Sequence, residues 1–177
     1  MLGANRFVKA LCAVALFNGA LFLCLKEEAL AGEKEDQAKK YTEELRKSKD
    51  AKVRVNALQE LGNLAQIKKS LAKDATPDIY EALKDKEAGV RAAAAEALGK
   101  TDPEYKDAGA LLVKLLKEDK EEGVKIGAMK GLAAMGANAK DALPAIREIQ
   151  KANAGDKKSK LGAAAKTAIT SISGAKK

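Results

Sequence analysis

The stretch that decides the fold is "DKEAGVRAAAAEALG", residues 85 to 99. It opens with charged residues typical of a turn, and six of its fifteen residues are alanine. Alanine combines the highest helix propensity with a very small side chain. The stretch therefore predicts a helix whose backbone lies close to the backbone of its neighbours.

The same pattern occurs four times, in segments that begin at Ser48, Asp85, Asp119 and Asp156, with spacings of 37, 34 and 37 residues. In each segment a branched apolar residue is followed by alanine at i+4 and by leucine or isoleucine at i+8, which marks one face of an α-helix. We predict that this face forms the interface between repeats. Its twelve members are Val53, Ala57, Leu61, Val90, Ala94, Leu98, Val124, Ala128, Leu132, Leu161, Ala165 and Ile169.

A weaker helical pattern precedes each of these segments, so each repeat is predicted to be a hairpin of two helices. Pro77 and Pro144 fit the first turn of such preceding helices. A short hairpin cannot bury its apolar face alone and must stack on its neighbours. We predict an all-α solenoid of about four hairpins over residues 48–177. The second helices are expected near residues 50–63, 87–100, 121–135 and 158–173, after a polar segment and first helix at 32–47.

Glycine and charge patterns refine this prediction. Gly127, Gly131 and Gly136 fall at helical spacing and are predicted to be close-packing positions. The fourth segment lacks the acid–base pair of the first three, having Lys158 and Gly162 instead, and is predicted to be the C-terminal cap. The stretch from Gly32 to Lys40 is read as either a frayed linker or the opening of the first cap.

Residues 1–31 have the layout of a secretory signal peptide. Arg6 and Lys9 precede an apolar run, and Ala29 and Ala31 stand at the A-x-A spacing of a cleavage site, which we place after Ala31. The prediction is an extracytoplasmic protein, periplasmic or secreted, without a stable membrane span after cleavage.

Two other readings of this segment stay open. The apolar run from Ala10 to Leu25 could be an uncleaved anchor, although its sixteen residues fall short of the roughly 20 needed to span a bilayer. A lipoprotein site at Cys24 is weakened by the bulky Leu23 that precedes it.

Composition removes most catalytic chemistry. The chain has no histidine, and Cys12 and Cys24 both lie in the predicted signal peptide. Histidine-based zinc sites, Ser-His-Asp and Cys-His catalysis, thiolate metal sites and disulfides are therefore excluded from the mature chain. We predict no catalytic residue, no metal site and no cofactor, so the protein is not expected to be an enzyme.

The chain is basic. Its net charge is +8, and removal of residues 1–31 leaves 30 basic and 23 acidic side chains, a net charge of +7. Nucleic acid is not expected as a partner, because the lysines are interleaved with acids and aromatic residues make up only 3% of the chain. Binding to another polyanion or to the cell envelope remains the alternative function.

The pattern V-R-x-x-A-x-x-A-L and the period of 34 to 37 residues resemble the HEAT repeat family, most closely its short bacterial subclass named after phycobilisome lyases. The pattern is carried by Val90, Arg91, Ala94, Ala97 and Leu98, and the resemblance covers about residues 36 to 174. Tetratricopeptide repeats have a similar length but usually carry Trp and Tyr landmarks. The resemblance implies a right-handed superhelix that acts as a non-catalytic scaffold or adaptor for an unidentified protein or peptide.

In this resemblance the second helices line the concave side of the solenoid. The positions one, five and six residues after the branched column would face or flank it. Our candidate protein-binding strip consists of Arg54, Gln59, Arg91, Glu96, Lys125 and Lys130. A structural reading competes for Arg54 and Arg91, which stand four residues after Asp50 and Glu87 and could pair with them.

Overall fold

The computed structural model describes residues 19–101, 106–156 and 158–174, and these residues form eight α-helices, with no strand among them. The helices are α1 (Gly19–Lys47), α2 (Ala51–Ile67), α3 (Thr76–Ala82), α4 (Ala88–Thr101), α5 (Lys106–Glu118), α6 (Glu122–Met135), α7 (Leu143–Ala152) and α8 (Lys160–Ile172). Short 3-10 helices lie at Lys69–Leu71, Lys73–Ala75 and Gly136–Ala142. The predicted all-α fold class is confirmed.

The chain divides into two compact units, residues 1–37 and residues 38–177. Of the predicted signal peptide, residues 1–18 lie outside the described residues, and the backbone from Gly19 to the expected cleavage point at Ala31 is helical. No helix in the described part of the chain is long and apolar enough to span a membrane. The stretch from Gly32 to Lys40 belongs to α1, so its reading as a frayed linker is wrong.

The helices alternate as predicted between first and second helices of hairpins. Helix α2 continues to Ile67, four residues beyond the expected end, because Gly62 packs against α4 instead of ending the helix. Helix α8 begins at Lys160, where the hydroxyl of Ser159 accepts a hydrogen bond from the N–H of Gly162 at 3.0 Å. Pro77 and Pro144 occupy the first turns of α3 and α7, which confirms their predicted positions.

The second helices form a continuous layer. Helix α2 packs on α4, α4 on α6, and α6 on α8, while α3, α5 and α7 each pack on the second helix of their own repeat. Ala38 and Leu45 of α1 join the same apolar core. Each hairpin thus buries its apolar face against its own partner helix and against the next repeat.

The face of branched residues, alanines and leucines lies largely in this core. Nine of its twelve members are buried, and the other three, Val53, Leu161 and Ile169, are half-buried. Two of those three belong to α8, which packs against one second helix only.

The second helices approach one another most closely at small residues that lie beside this face. A Cβ atom on Gly99 would lie less than 3.0 Å from the backbone of Gly131, and one on Gly127 would lie as close to the backbone of Ala92. The predicted close-packing roles of Gly127 and Gly131 are therefore confirmed. The prediction for Gly136 is wrong, because this residue ends α6 with a φ of 57° and has no atom within 4 Å of its would-be Cβ.

Candidate functional site

The six residues of the predicted strip lie in two separate rows on the second helices. Arg54, Arg91 and Lys125 stand one position after the branched column, and Gln59, Glu96 and Lys130 stand six positions after it. Five residues of α-helix turn the side chain by about 140° in net rotation. Among the described residues no hydrogen bond or ion pair joins the two rows, so they are two different surfaces.

The first row is built around Arg54. Its guanidinium binds Asp85 of the next repeat in a bidentate pair, with Nε–Oδ2 and Nη2–Oδ1 distances of 2.9 Å. The third nitrogen, Nη1, donates to the carbonyls of Ser48 and Lys49 at 3.2 and 3.1 Å. Only 11% of the Arg54 side chain and 16% of the Asp85 side chain are exposed, so the pair lies between the repeats and is not offered to a ligand.

Arg91 repeats this arrangement one repeat later. It binds Asp119 at 2.8 and 3.1 Å and donates to the carbonyls of Asp85 and Lys86 at 2.9 and 3.1 Å. We call these two bidentate pairs the Arg–Asp ladder. It ties the loop before each second helix to the loop of the following repeat.

The predicted pairing of Arg54 with Asp50 and of Arg91 with Glu87 is wrong. Asp50 instead caps α2 by accepting the N–H of Lys52 at 2.8 Å. The arginines reach a carboxylate that the next loop already holds in place, since Asp85 Oδ1 accepts the N–H of Glu87 at 2.9 Å. The pairing could have been found in the sequence, because each aspartate opens a segment and its arginine stands at the seventh position of the preceding segment.

The ladder shifts the titration of its carboxylates. The hydrogen bonds from Arg91 lower the pKa of Asp119 below its ordinary range, against the opposing effect of burial. Burial raises the pKa of Asp85, but the hydrogen bonds from Arg54 and from the N–H of Glu87 outweigh it, so this pKa is also lowered. Both carboxylates are therefore held in the charged form in which they accept the guanidinium.

The second row is accessible. Gln59 and Lys130 are exposed, and Glu96 is half-buried. Glu96 accepts hydrogen bonds from Lys100 at 2.8 Å and from Lys130 at 3.2 Å, so it connects α4 to α6. Burial raises the pKa of Glu96, and the two lysines together lower it further than burial raises it.

The surface of the second row continues from α4 to α2. A Cβ on Gly62 would lie 3.1 Å from Cδ of Lys100, so the lysine stem packs against α2 at this glycine. From there the Lys100 ammonium reaches Glu96. Gln59, Glu96 and Lys130 therefore belong to one polar face that crosses three consecutive second helices, and we call this the second-helix face.

The remaining positions proposed to flank the concave side have different roles. Leu58, Ala95 and Met129 are fully buried and belong to the core. In α8 the corresponding residue is Lys166, which is exposed together with Thr167. This position is exposed in α8 because no further repeat of the described chain is stacked on that helix.

A separate cavity of about 820 Å³ lies beside the first turn of α3. Its lining mixes lysines, hydroxyls and one carboxylate, from Lys69, Ser70, Lys73, Thr76, Pro77, Tyr80, Thr101 and Asp107. Within the described residues, no group of three acidic, cysteine or histidine side chains could hold a metal ion. Residues 102–105, which connect Thr101 to the helix of Asp107, lie outside the described residues, so we assign this cavity no role.

Comparison with known sequences identifies the fold family. The sequence model of HEAT repeats matches residues 38–133, more than half of the 177-residue chain. No curated protein matches the chain. The matched region begins within α1 and ends within α6, and thus overlaps all three hairpins that the Arg–Asp ladder connects. With its stacked hairpins and this match, the chain belongs to the family of HEAT-repeat proteins and is an α-solenoid.

Proposed function

We propose that this protein is a non-catalytic scaffold that binds a protein or peptide on the second-helix face. HEAT repeats typically serve as protein-interaction scaffolds. The observation that carries the proposal is the continuity of this face, on which Glu96 joins Lys100 and Lys130 across two helices and the stem of Lys100 packs against Gly62 of a third. A surface that crosses several repeats contacts a partner at several points that the solenoid holds at fixed spacing.

Arg54 and Arg91 of the first row do not take part in this binding. Arg54 and Arg91 already use their donors on Asp85, Asp119 and loop carbonyls. A partner would have to displace a bidentate pair, and the freed carboxylate would then be left poorly solvated. We therefore assign the ladder to the solenoid and restrict the binding surface to the second-helix face.

Site-specific photocrosslinking tests the proposal. A photoreactive residue in place of Lys130 should capture a protein from an extract of the source cells. The same residue in place of Lys114, an exposed lysine on α5 whose side chain is 65% exposed, should not capture it. Equal capture from both positions would contradict the assigned surface. Recovery of polyanions that dissociate with salt, and of no protein, would support the envelope-binding alternative instead.

We further propose that this binding takes place outside the cytoplasm. The support is the sequence of residues 1–31, with basic residues, an apolar run and the A-x-A spacing that ends at Ala31. N-terminal sequencing of the chain from an extracytoplasmic fraction should find Gly32 as the first residue. A chain that still begins at Met1 would favour the uncleaved anchor.

A further inference from the structure

We propose that α2 binds the main chain of an extended polypeptide segment through a stripe of four carboxamide side chains. The stripe consists of Asn56, Gln59, Asn63 and Gln66. It shares Gln59 with the second-helix face, so this inference rests on the proposed function and specifies what the partner presents to it.

The four carboxamides occupy one face of α2, since spacings of three, four and three residues return to the same side of a helix. They are also the only exposed residues of α2 between Val53 and Gln66. None of the four side chains donates or accepts a hydrogen bond within the described part of the chain. The stripe thus presents unused donors and acceptors to solvent along three turns of helix.

The stripe is uncharged in a chain of which 33% is charged. A carboxamide has two N–H donors and a carbonyl acceptor, which matches the donor and the acceptor of a peptide group. Nucleic acid would require cations and aromatic side chains for its phosphates and bases, and the stripe has neither. The ligand that complements it is therefore a neutral group that both donates and accepts at regular intervals, as a polypeptide main chain does.

The length of the stripe sets the length of the segment. Gln66 stands ten positions after Asn56, a distance of about 15 Å along the axis at about 1.5 Å per residue. An extended chain rises about 3.3 Å per residue, so the stripe matches about four to five residues of ligand. Neighbouring carboxamides lie about 5 Å apart along the axis, and their side chains can adjust to the spacing of peptide groups.

The charge beside the stripe defines the adjoining part of the ligand. The stem of Lys100 packs against α2 at Gly62, which precedes Asn63, and Lys100 shares Glu96 with Lys130. Two ammonium groups around one carboxylate leave a net positive charge at this edge. The partner that fits both features is an extended segment that is uncharged over the stripe and carries an acidic residue where it passes over α4.

Side-chain NMR signals provide the direct test. The probe is the peptide acetyl-Ala-Thr-Val-Ser-Val-Glu-Glu-amide, titrated into the full chain labelled with ¹⁵N. The NH₂ signals of the four stripe residues should shift together. The NH₂ signal of Asn153, whose Nδ2 already donates to the Ile149 carbonyl at 2.8 Å, should stay in place as an internal control.

Two matched changes distinguish main-chain recognition from nonspecific binding. A probe with the same side chains but N-methylated peptide groups should not bind, because it lacks the N–H donors. The double variant Asn56→Ala with Asn63→Ala should bind the original probe about tenfold more weakly. The double variant Thr167→Ala with Thr170→Ala, which removes exposed polar groups from α8, should bind it unchanged.

The outcomes distinguish this inference from the proposed function. Equal binding of the N-methylated probe, or unchanged binding by the Asn56 and Asn63 variant, would overturn main-chain recognition by the stripe. Absence of any shift at millimolar peptide would overturn it as well. If the photoreactive residue at position 130 still captures a protein in that case, the scaffold function stands and only the stripe is wrong.

Discussion

The interface between α4 and α6 and the interface between α6 and α8 occupy the same place in successive repeats, yet they are built differently. Gly99 meets Gly131 between α4 and α6, and the sequence-equivalent positions in α6 and α8 are Ala133 and Ala168. The first pair brings backbone against backbone, and the second adds a methyl group on each side. The same register of the repeat thus holds glycine at one interface and alanine at the other.

The same two interfaces differ in polar contacts. Arg91 clamps Asp119 across the first, with both side chains largely buried. At the second, Lys125 and Asp156 occupy the equivalent positions, and no ion pair joins them among the described residues. Arginine offers a planar fork with several donors, whereas lysine offers one flexible ammonium group. The comparison teaches that the α6–α8 interface is held by apolar burial, and the α4–α6 interface by burial, close backbone contact and an Arg–Asp pair.

The largest effect is expected from Gly131→Ala, which would force a Cβ into the backbone of Ala95. We expect a loss of more than about 3 kcal/mol of unfolding free energy, because backbone atoms cannot move aside as a flexible side chain can. Urea denaturation followed by circular dichroism measures it. The control is Gly123→Ala in the same helix, where no atom lies within 4 Å of the added Cβ, so its stability should stay equal or rise by up to about 1 kcal/mol. Equal effects of the two changes on stability would contradict the close backbone contact between Gly131 and Ala95.

Removal of the ladder should have the next largest effect. Arg91→Ala leaves the carboxylate of Asp119 without its main partner in a site where only 9% of the Asp119 side chain is exposed. We expect a loss of about 1 to 3 kcal/mol. Lys125→Ala at the equivalent position should change the free energy of unfolding by less than about 0.5 kcal/mol. Similar costs for the two substitutions would remove the distinction between the two interfaces.

Acid should weaken the ladder. The pKa values of Asp85 and Asp119 are lowered in the folded chain, so the unfolded chain binds more protons as the pH falls. Their stabilising contribution is complete above about pH 4, the ordinary aspartate range, and is lost as the pH falls through the lowered values. The urea midpoint should therefore drop as the pH falls below about 4. The double variant Asp85→Asn with Asp119→Asn should show a smaller drop, and an unchanged drop would place the acid sensitivity elsewhere.

The smallest effect is expected from Lys125→Arg, which extends the ladder to the last hairpin. A guanidinium at this position can form a bidentate pair with Asp156, whose carboxylate already accepts the N–H of Lys158 at 2.8 Å. Because Asp156 is exposed, the gain should be about 0.5 kcal/mol. Amide hydrogen exchange in α8 should slow, while exchange in α2 stays the same. Faster exchange in α8 would show that the loop around Asp156 cannot accommodate the guanidinium.

The second-helix face and the stripe were accessible to sequence reasoning to different degrees. The one-per-repeat period selects Gln59 and Lys130, and both are exposed. The spacing of Asn56, Gln59, Asn63 and Gln66 is equally regular, but carboxamides carry no motif that separates a binding surface from an ordinary helix face. Their exposure, and the lack of internal partners, become visible only when α2 is packed against its neighbours.

The sequence by itself determined the all-α class, the hairpin repeat, the second-helix cores and the absence of histidine chemistry. These follow from local periodicity and composition, which each segment carries without reference to the others. Only the tertiary structure decided that Arg54 and Arg91 bind Asp85 and Asp119 of the next repeat and that Gly99 meets Gly131. It also showed that Gly136 ends a helix, whereas Gly131 lies at a helix crossing. The reason is physical. Each arginine could bind a carboxylate four residues away or one about 30 residues away, and the distances between stacked helices decide which carboxylate it reaches.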